Sequence, residues 1–336
     1  MTRRCRINIS LAVSVLAIVV CIFGCTRQEG KSGGPAEKVT IAYSATTDAV
    51  LAEVAHIRGY YREEGLEAVS HMHPYGKPAL KEVLEGKADF ATVAETPVMF
   101  AIMKGEQISI IATIQTSRKV NAIIARKDKG ILTPGDLKGR KIAATLGTTS
   151  DFFLDAILAT HGISKKTVEI IDLKAEEITA ALSKGDVEAA SAFSAYISLA
   201  QRELGSRGIT FYDENIYTST FNVVTKQEFI RKNPEKVKKM LRALVKAEEF
   251  IKQNPEEAQK IVAGFSGTDI AIVHDIWANT SFSVSLDQSL LLALEDESRW
   301  AIKQGLTSSA KAPNYLDFIY LDGLTSVKPN AVRILR

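Results

Sequence analysis

The run Gly147-Thr148-Thr149-Ser150-Asp151 places a glycine and three hydroxyls at a strand-to-helix turn. The first N–H groups of a helix have no intrahelical acceptor, and the aligned peptide dipoles put roughly half a positive charge behind them. Such a turn favours an anion or a partly negative oxygen, and the hydroxyls of Thr148, Thr149 and Ser150 add donors. Thr148 and Asp151 also have the spacing of a capping box, so a helix cap without a ligand explains the same residues. Three more clusters repeat the chemistry. Ser44, Thr46 and Thr47 follow an apolar run and precede a helix; Glu95 and Thr96 follow another; Gln115 and Thr116 follow a run ending at Ile114. A satisfied cap or turn is the plain alternative for each.

Covalent chemistry is poorly supplied. The chain contains no Gly-x-Ser-x-Gly elbow, no His-Glu-x-x-His and no phosphate-binding Walker loop. His71 and His73 fall on one face of a strand, yet no third ligand is near in sequence, so neither a metal site nor a cofactor is expected. Trp277 and Trp300 sit in apolar helical spacing and read as core. Arg231, Lys232, Lys236, Lys238, Lys239, Arg242 and Lys246 crowd one stretch. A solvated helix face explains them, and contact with anionic lipid or a membrane partner is the alternative.

The elements that must hold these residues are α/β. Apolar alternation predicts strands over 38–43, 68–73, 88–93, 109–114, 122–125, 141–145, 168–173, 187–193 and 221–225. Helical spacing fills most of the intervals, and Gly65, Gly86, Gly162 and Gly185 end helices. After about residue 225 the pattern is almost purely helical. There Asn233-Pro234-Glu235 and Asn254-Pro255-Glu256 each read as an N-cap, a proline in the first turn and an acid behind it.

The N-terminus is different. Arg3, Arg4 and Arg6 precede an uncharged, largely aliphatic stretch, the arrangement of a signal peptide over 1–24. A single retained membrane span is the competing reading. Ile22-Phe23-Gly24-Cys25 resembles a bacterial lipobox, with Phe23 where a small residue is usual. Cleavage there would leave Cys25 as the only cysteine, acylated and unable to form an intramolecular disulfide. Residues 25–37, with Gly30, Ser32, Gly33, Gly34 and Pro35, then read as a lipidated tether. The whole chain has 42 basic and 39 acidic residues, so losing the three leader arginines leaves a neutral body. A neutral body lacks the basic surface that nucleic-acid binding requires.

One family has these pieces in this order. The runs Arg58-Gly59-Tyr60-Tyr61-Arg62-Glu63-Glu64-Gly65-Leu66, Gly86-Lys87-Ala88-Asp89-Phe90, Glu95-Thr96-Pro97, Asp136-Leu137-Lys138-Gly139-Arg140-Lys141-Ile142, Leu146-Gly147-Thr148-Thr149-Ser150 and Ala180-Ala181-Leu182-Ser183-Lys184-Gly185-Asp186-Val187 carry it. Together they resemble the periplasmic solute-binding lipoproteins of ABC importers for nitrate, sulfonates and taurine, a group that includes binders of thiamine-pyrimidine precursors. The resemblance implies a two-lobed periplasmic binding protein of type 2, with a two-stranded hinge and a helical C-terminal extension. One lobe would comprise 38–125 plus 219–336 and the other 126–218. It further implies a non-catalytic monomer that closes on a small solute and presents it to a permease and ATPase. A solute-sensing role for a signalling partner is the rival expectation. Phe193 ends its strand where relatives carry a Trp followed by an acid and a Pro; here Ser194 and Ala195 follow, which shrinks any aromatic wall.

Charge then narrows the solute. Glu95 and Asp151 fall on expected cleft loops, and unpaired carboxylates beside a bare anion are costly. Either Asp151 only caps its helix, or the solute also carries a positive or N–H-donating part. The expectation is a small organic or zwitterionic solute ahead of nitrate.

Overall fold

A computed structural model describes residues 36–335. The expected leader, Cys25 and most of the tether lie outside the described residues. In chain order the elements are β1 (Glu37–Ser44), α1 (Val50–Ile57), α2 (Tyr60–Glu63), β2 (Leu66–His73), α3 (Gly76–Leu84), β3 (Phe90–Ala94), α4 (Glu95–Met103), β4 (Ile108–Ser117) and β5 (Asn121–Arg126). There follow β6 (Lys141–Ala144), α5 (Thr149–Thr160), β7 (Glu169–Asp172), α6 (Ala175–Lys184), β8 (Ala189–Phe193), α7 (Ala195–Leu204), β9 (Gly208–Phe211) and β10 (Ser219–Lys226). The last part holds α8 (Gln227–Lys232), α9 (Pro234–Gln253), α10 (Pro255–Ser266), α11 (Ile270–Trp277), β11 (Thr280–Ser281) and α12 (Gln288–Lys303).

Two sheets share one plan. The first runs β11-β4-β10-β3-β1-β2 and the second β7-β6-β8-β5-β9. Each has three parallel strands, β2-β1-β3 or β7-β6-β8, flanked by an antiparallel strand, β10 or β5. The chain passes between sheets twice, over 118–120 and 212–218. The sequence boundary at 125/126 is therefore too late: β5 hydrogen-bonds to β8 and β9 in the second sheet. Its six buried residues suit either sheet, so only pairing decides the matter.

Alternation along the second sheet's strands feeds two cores. Ile124, Ala190 and Ala192 face Ile178, Leu182 and Ile197 of α6 and α7; Ile123, Ile142 and Ala189 face Phe153, Leu154 and Ile157 of α5. The first lobe has one continuous core around Tyr43, Phe90, Met99 and Ile110, covered in part by α9 through Met240, Leu241 and Leu244.

Both Asn-Pro-Glu sequences start helices, although the asparagine side chains do not cap them. Asn233 and Asn254 instead donate Nδ2 to the carbonyls of Phe229 and Phe250, closing the preceding helix at 3.3 and 3.2 Å. Five of the basic residues belong to ion pairs: Lys232 with Glu228, Lys238 with Glu235, Lys239 with Glu37, Arg242 with Glu64, and Lys246 with Glu63 and Glu64. Most of the positive stripe is therefore neutralised within the lobe. His71 and His73 both meet Glu82, at 2.7 and 3.4 Å. Among the described residues no cluster suited to a metal ion occurs, and no helix is long and apolar enough to cross a membrane.

Candidate functional site

Parallel strands present their carboxyl ends to the gap between the lobes, and the helices that follow begin there. Ser44 ends β1, Ala94 follows the body of β3, Phe193 ends β8, and the turn after β6 leads to Thr148 and Thr149. The starts of α3, α4, α5 and α7, with the loop entering α1, thus converge on one cavity, lined among others by Tyr75, Pro97, Thr149, Ser194 and Asp48. Each helix start contributes unpaired N–H groups and a partial positive charge, so the enclosure favours an oxyanion.

Formal charges of both signs border the same space. Lys77, exposed in the first turn of α3, donates Nζ to the Leu146 carbonyl across the gap at 2.7 Å, and partial desolvation there lowers its pKa. Asp48 is buried opposite. It accepts from Gln115 Nε2 at 3.2 Å and from the Ser194 hydroxyl of the other lobe. Burial raises the Asp48 pKa, while those donors hold it down. Ser194 is the only non-glycine among the described residues with a positive φ, 50°, a strained conformation that persists where its surroundings impose it.

The expected site residues divide into two groups. Ser44, Thr46, Gln115, Thr148, Thr149 and Phe193 line the cavity. Thr47, Glu95, Thr96, Thr116, Gly147, Ser150 and Asp151 do not. The Ser150 hydroxyl bonds Thr145 N and O, so it closes the turn and points away from the gap. Thr148 forms no capping box: its hydroxyl donates to Thr145 O at 2.6 Å. Asp151 accepts from Gly147 N at 2.9 Å and lies 3.9 Å from Lys165, so it braces the loop. Gly147 supplies a left-handed turn, φ 70°, under the Lys77 ammonium. Thr116 faces Thr220 within the sheet.

Glu95 is fully buried, but behind the wall. It accepts from Ser219 Oγ at 2.9 Å and from Thr220 N at 2.8 Å, and Ser219 in turn lines the cavity. Burial lifts the Glu95 pKa to about 7. Its neighbour Glu297, held by Thr96 Oγ1 at 2.6 Å, has its pKa raised by burial and by the Glu95 charge. Both residues are scaffold.

Asp48, Lys77, Ser194 and Ser219 went unmarked in the sequence. Asp48 closes the run begun by Ser44, where the hydroxyls drew attention and the acid did not. A lysine two residues after Tyr75 at a helix start was a usable signal for Lys77; the backbone strain at Ser194 has none.

The lobes meet elsewhere too. Tyr196 OH donates to Pro74 O at 3.0 Å, Arg202 pairs with Asp269 at 2.9 Å, and Trp300 Nε1 donates to Asp155 at 2.7 Å. Trp300, expected in the core, stands at the lobe boundary with its ring against Phe152 and Phe100. The described conformation is closed.

The family model described as NMT1/THI5 like matches residues 47–258, more than half of the chain. The chain belongs to the NMT1/THI5-like family. The match spans the cleft loops from Thr47 onward, the second lobe, both crossings and the helices through part of α10. A putative aliphatic sulfonates-binding protein of Bacillus subtilis (strain 168) is 25% identical over 273 residues, covering 80% of this chain and 82% of that protein. The taurine-binding periplasmic protein of Escherichia coli (strain K12) is 26% identical over 218 residues, 63% of this chain and 66% of that one. In fold, the chain is similar to the alkanesulfonate-binding protein SsuA of Xanthomonas axonopodis pv. citri bound to MOPS. There the TM-score is 0.74 at 18% identity, with 85% of this chain and 99% of that chain covered. The architecture of this NMT1/THI5-like chain is accordingly that of a two-lobed periplasmic binding protein.

Proposed function

We propose that this chain is the solute-binding component of an ABC importer and that it captures a small organic zwitterion carrying a sulfonate-like oxyanion. One observation carries the reading: one cavity between the lobes is lined by a buried carboxylate, Asp48, together with Lys77 and a ring of helix starts. The helix starts and Lys77 receive the anionic group. Asp48 receives an ammonium or another N–H donor, which a bare anion such as nitrate cannot offer. The sulfonate- and taurine-binding names of the relatives point the same way. Closure needs no chemistry: both lobes bond one solute, the closed form is selected by that differential affinity, and a permease reads it. Export by the 1–24 leader and anchoring through acylated Cys25 belong to the same reading, and labelling with radioactive palmitate, lost on Cys25→Ala, tests them.

A second reading has a specific support. A putative thiamine biosynthesis protein of Haemophilus influenzae is 25% identical over 203 residues, and Tyr75, Phe193 and Phe221 line the cavity. An aminopyrimidine would stack on these rings and donate to Asp48.

Calorimetric titration of the purified chain with taurine, an aminopyrimidine, nitrate and sulfate separates the readings. Taurine binds, nitrate and sulfate do not, and Asp48→Asn weakens taurine by about tenfold or more, the loss of one charge-assisted bond. Tight nitrate binding that Asp48→Asn leaves unchanged overturns the proposal.

A further inference from the structure

The cavity beside Asp48 measures about 30 Å³, room for only one or two waters. A solute seated there must displace the Ser194 hydroxyl from Asp48, and any part reaching beyond that contact needs further room. A larger hollow of about 300 Å³ adjoins it at the hinge. Val120 and Ser194 border both spaces, and the 2.8 Å bond from Ser194 N to Val120 O spans the partition. The hollow is walled by both lobes and both crossings: Lys119 from the first crossing, Tyr212 from the second, Ser198 and Gln201 from α7, and Asp275 from α11.

These walls do not form an ion site. Lys119 is already paired with Glu214 at 2.8 Å, and Asp275 lies exposed at the rim. What remains is the Tyr212 phenol, the Gln201 amide held by Thr210 at 3.0 Å, the hydroxyls of Ser198 and Thr280 and the aliphatic Ile197 and Ile276, a mixed lining for an uncharged chain with polar ends.

We infer that the solute is elongated: its oxyanion lies among the helix starts, its amine meets Asp48, and an uncharged polar tail passes Val120 and Ser194 into the hinge-side hollow. This rests on the zwitterion reading above and adds a tail and a place for it. The Ser194 hydroxyl, which donates to Asp48 in the closed conformation, is displaced by the solute's amine. A tail lodged between α7 and α11 touches both lobes and so adds to closure.

Taurine and HEPES share an aminoethanesulfonate unit and differ in what the nitrogen carries. HEPES extends it through a piperazine ring to a hydroxyethyl end. Titrations of the full chain, in buffer free of other sulfonates, compare the two on the native protein, Ser198→Trp and Tyr212→Ala. HEPES binds the native chain at least as tightly as taurine. Ser198→Trp, which fills the hollow, weakens HEPES by about tenfold while taurine stays within about twofold. Tyr212→Ala, at a side chain already 43% exposed, keeps the comparison available if the tryptophan variant does not fold. It lowers the HEPES affinity by about threefold and spares taurine. Taurine binding without HEPES binding, or a HEPES-to-taurine ratio that neither variant moves, overturns the tail placement and leaves the cleft reading intact. Failure of both compounds to bind overturns the cleft reading and, with it, this inference.

Discussion

Buried carboxylates dominate the chemistry at the scale of single residues. Glu95, Glu297, Glu53 and Asp48 are all shielded from solvent, and burial raises the pKa of each. Glu53, on α1 behind Asp48, has neither oxygen partnered within the protein, so its neutral form is the tolerable one. The consequence for stability has a definite sign. Glu95 titrates at about 7 in the fold against 4.5 for a free carboxyl. Between those values the folded state keeps a proton that the unfolded state has lost. The contribution is therefore complete below the lower value and gone above the higher one. Scanning calorimetry should give a higher thermal midpoint at about pH 5 than at about pH 8. Glu297→Gln, which removes the neighbouring charge, should narrow that difference. A difference that stays the same in the variant would show the two carboxyls to be independent.

At the scale of elements, the site depends on how closely helices seat on strand ends. α3 makes the tightest approach. A Cβ added at Gly76 would lie 2.8 Å from Val93 Cα and 3.2 Å from Thr92 O, both backbone atoms of β3. Neither can yield without moving the sheet. Gly76→Ala should cost about 1–3 kcal/mol in urea denaturation, the range for overpacking. It should also weaken solute binding, because Lys77 follows on the same turn. Unchanged stability would mean that α3 slides freely on β3. The turn into α5 has the opposite character: Thr148, Ser150 and Asp151 spend their side chains on their own loop. What remains for a ligand there is backbone N–H and the side chain of Thr149, which lines the cavity.

For the whole molecule, closure is held by a few bonds between the lobes. The Trp300 indole donates to Asp155, which is also bonded by Lys165 at 2.9 Å. Trp300→Phe keeps the ring packing against Phe152 and removes one bond to a charged acceptor, worth about 1.5–3 kcal/mol. Because that bond belongs to the closed state, solute affinity should fall by about tenfold, mostly through faster dissociation. Stopped-flow kinetics would check it, and an unchanged dissociation rate would remove this contact from the closing free energy. The same indole should report closure, since Trp300 is one of only two tryptophans in the chain.

Features that depend on neighbouring residues were legible without coordinates. Alternating apolar strands, glycine-terminated helices, prolines in first helical turns and hydroxyl-rich turns at strand ends each arise within about a dozen residues, where sterics and hydrogen bonding are local. Thr46, Gln115 and Thr148 are candidates on that basis, and Phe193 through the family resemblance. The tertiary structure alone decided which sheet takes β5, and which hydroxyls and acids face the gap. It also decided that Asp48 meets Ser194 from 146 residues away and that Trp300 meets Asp155 from 145. These outcomes follow from the two crossings that set one lobe against the other. A contact made by that orientation has no period, cap or spacing to announce it along the chain.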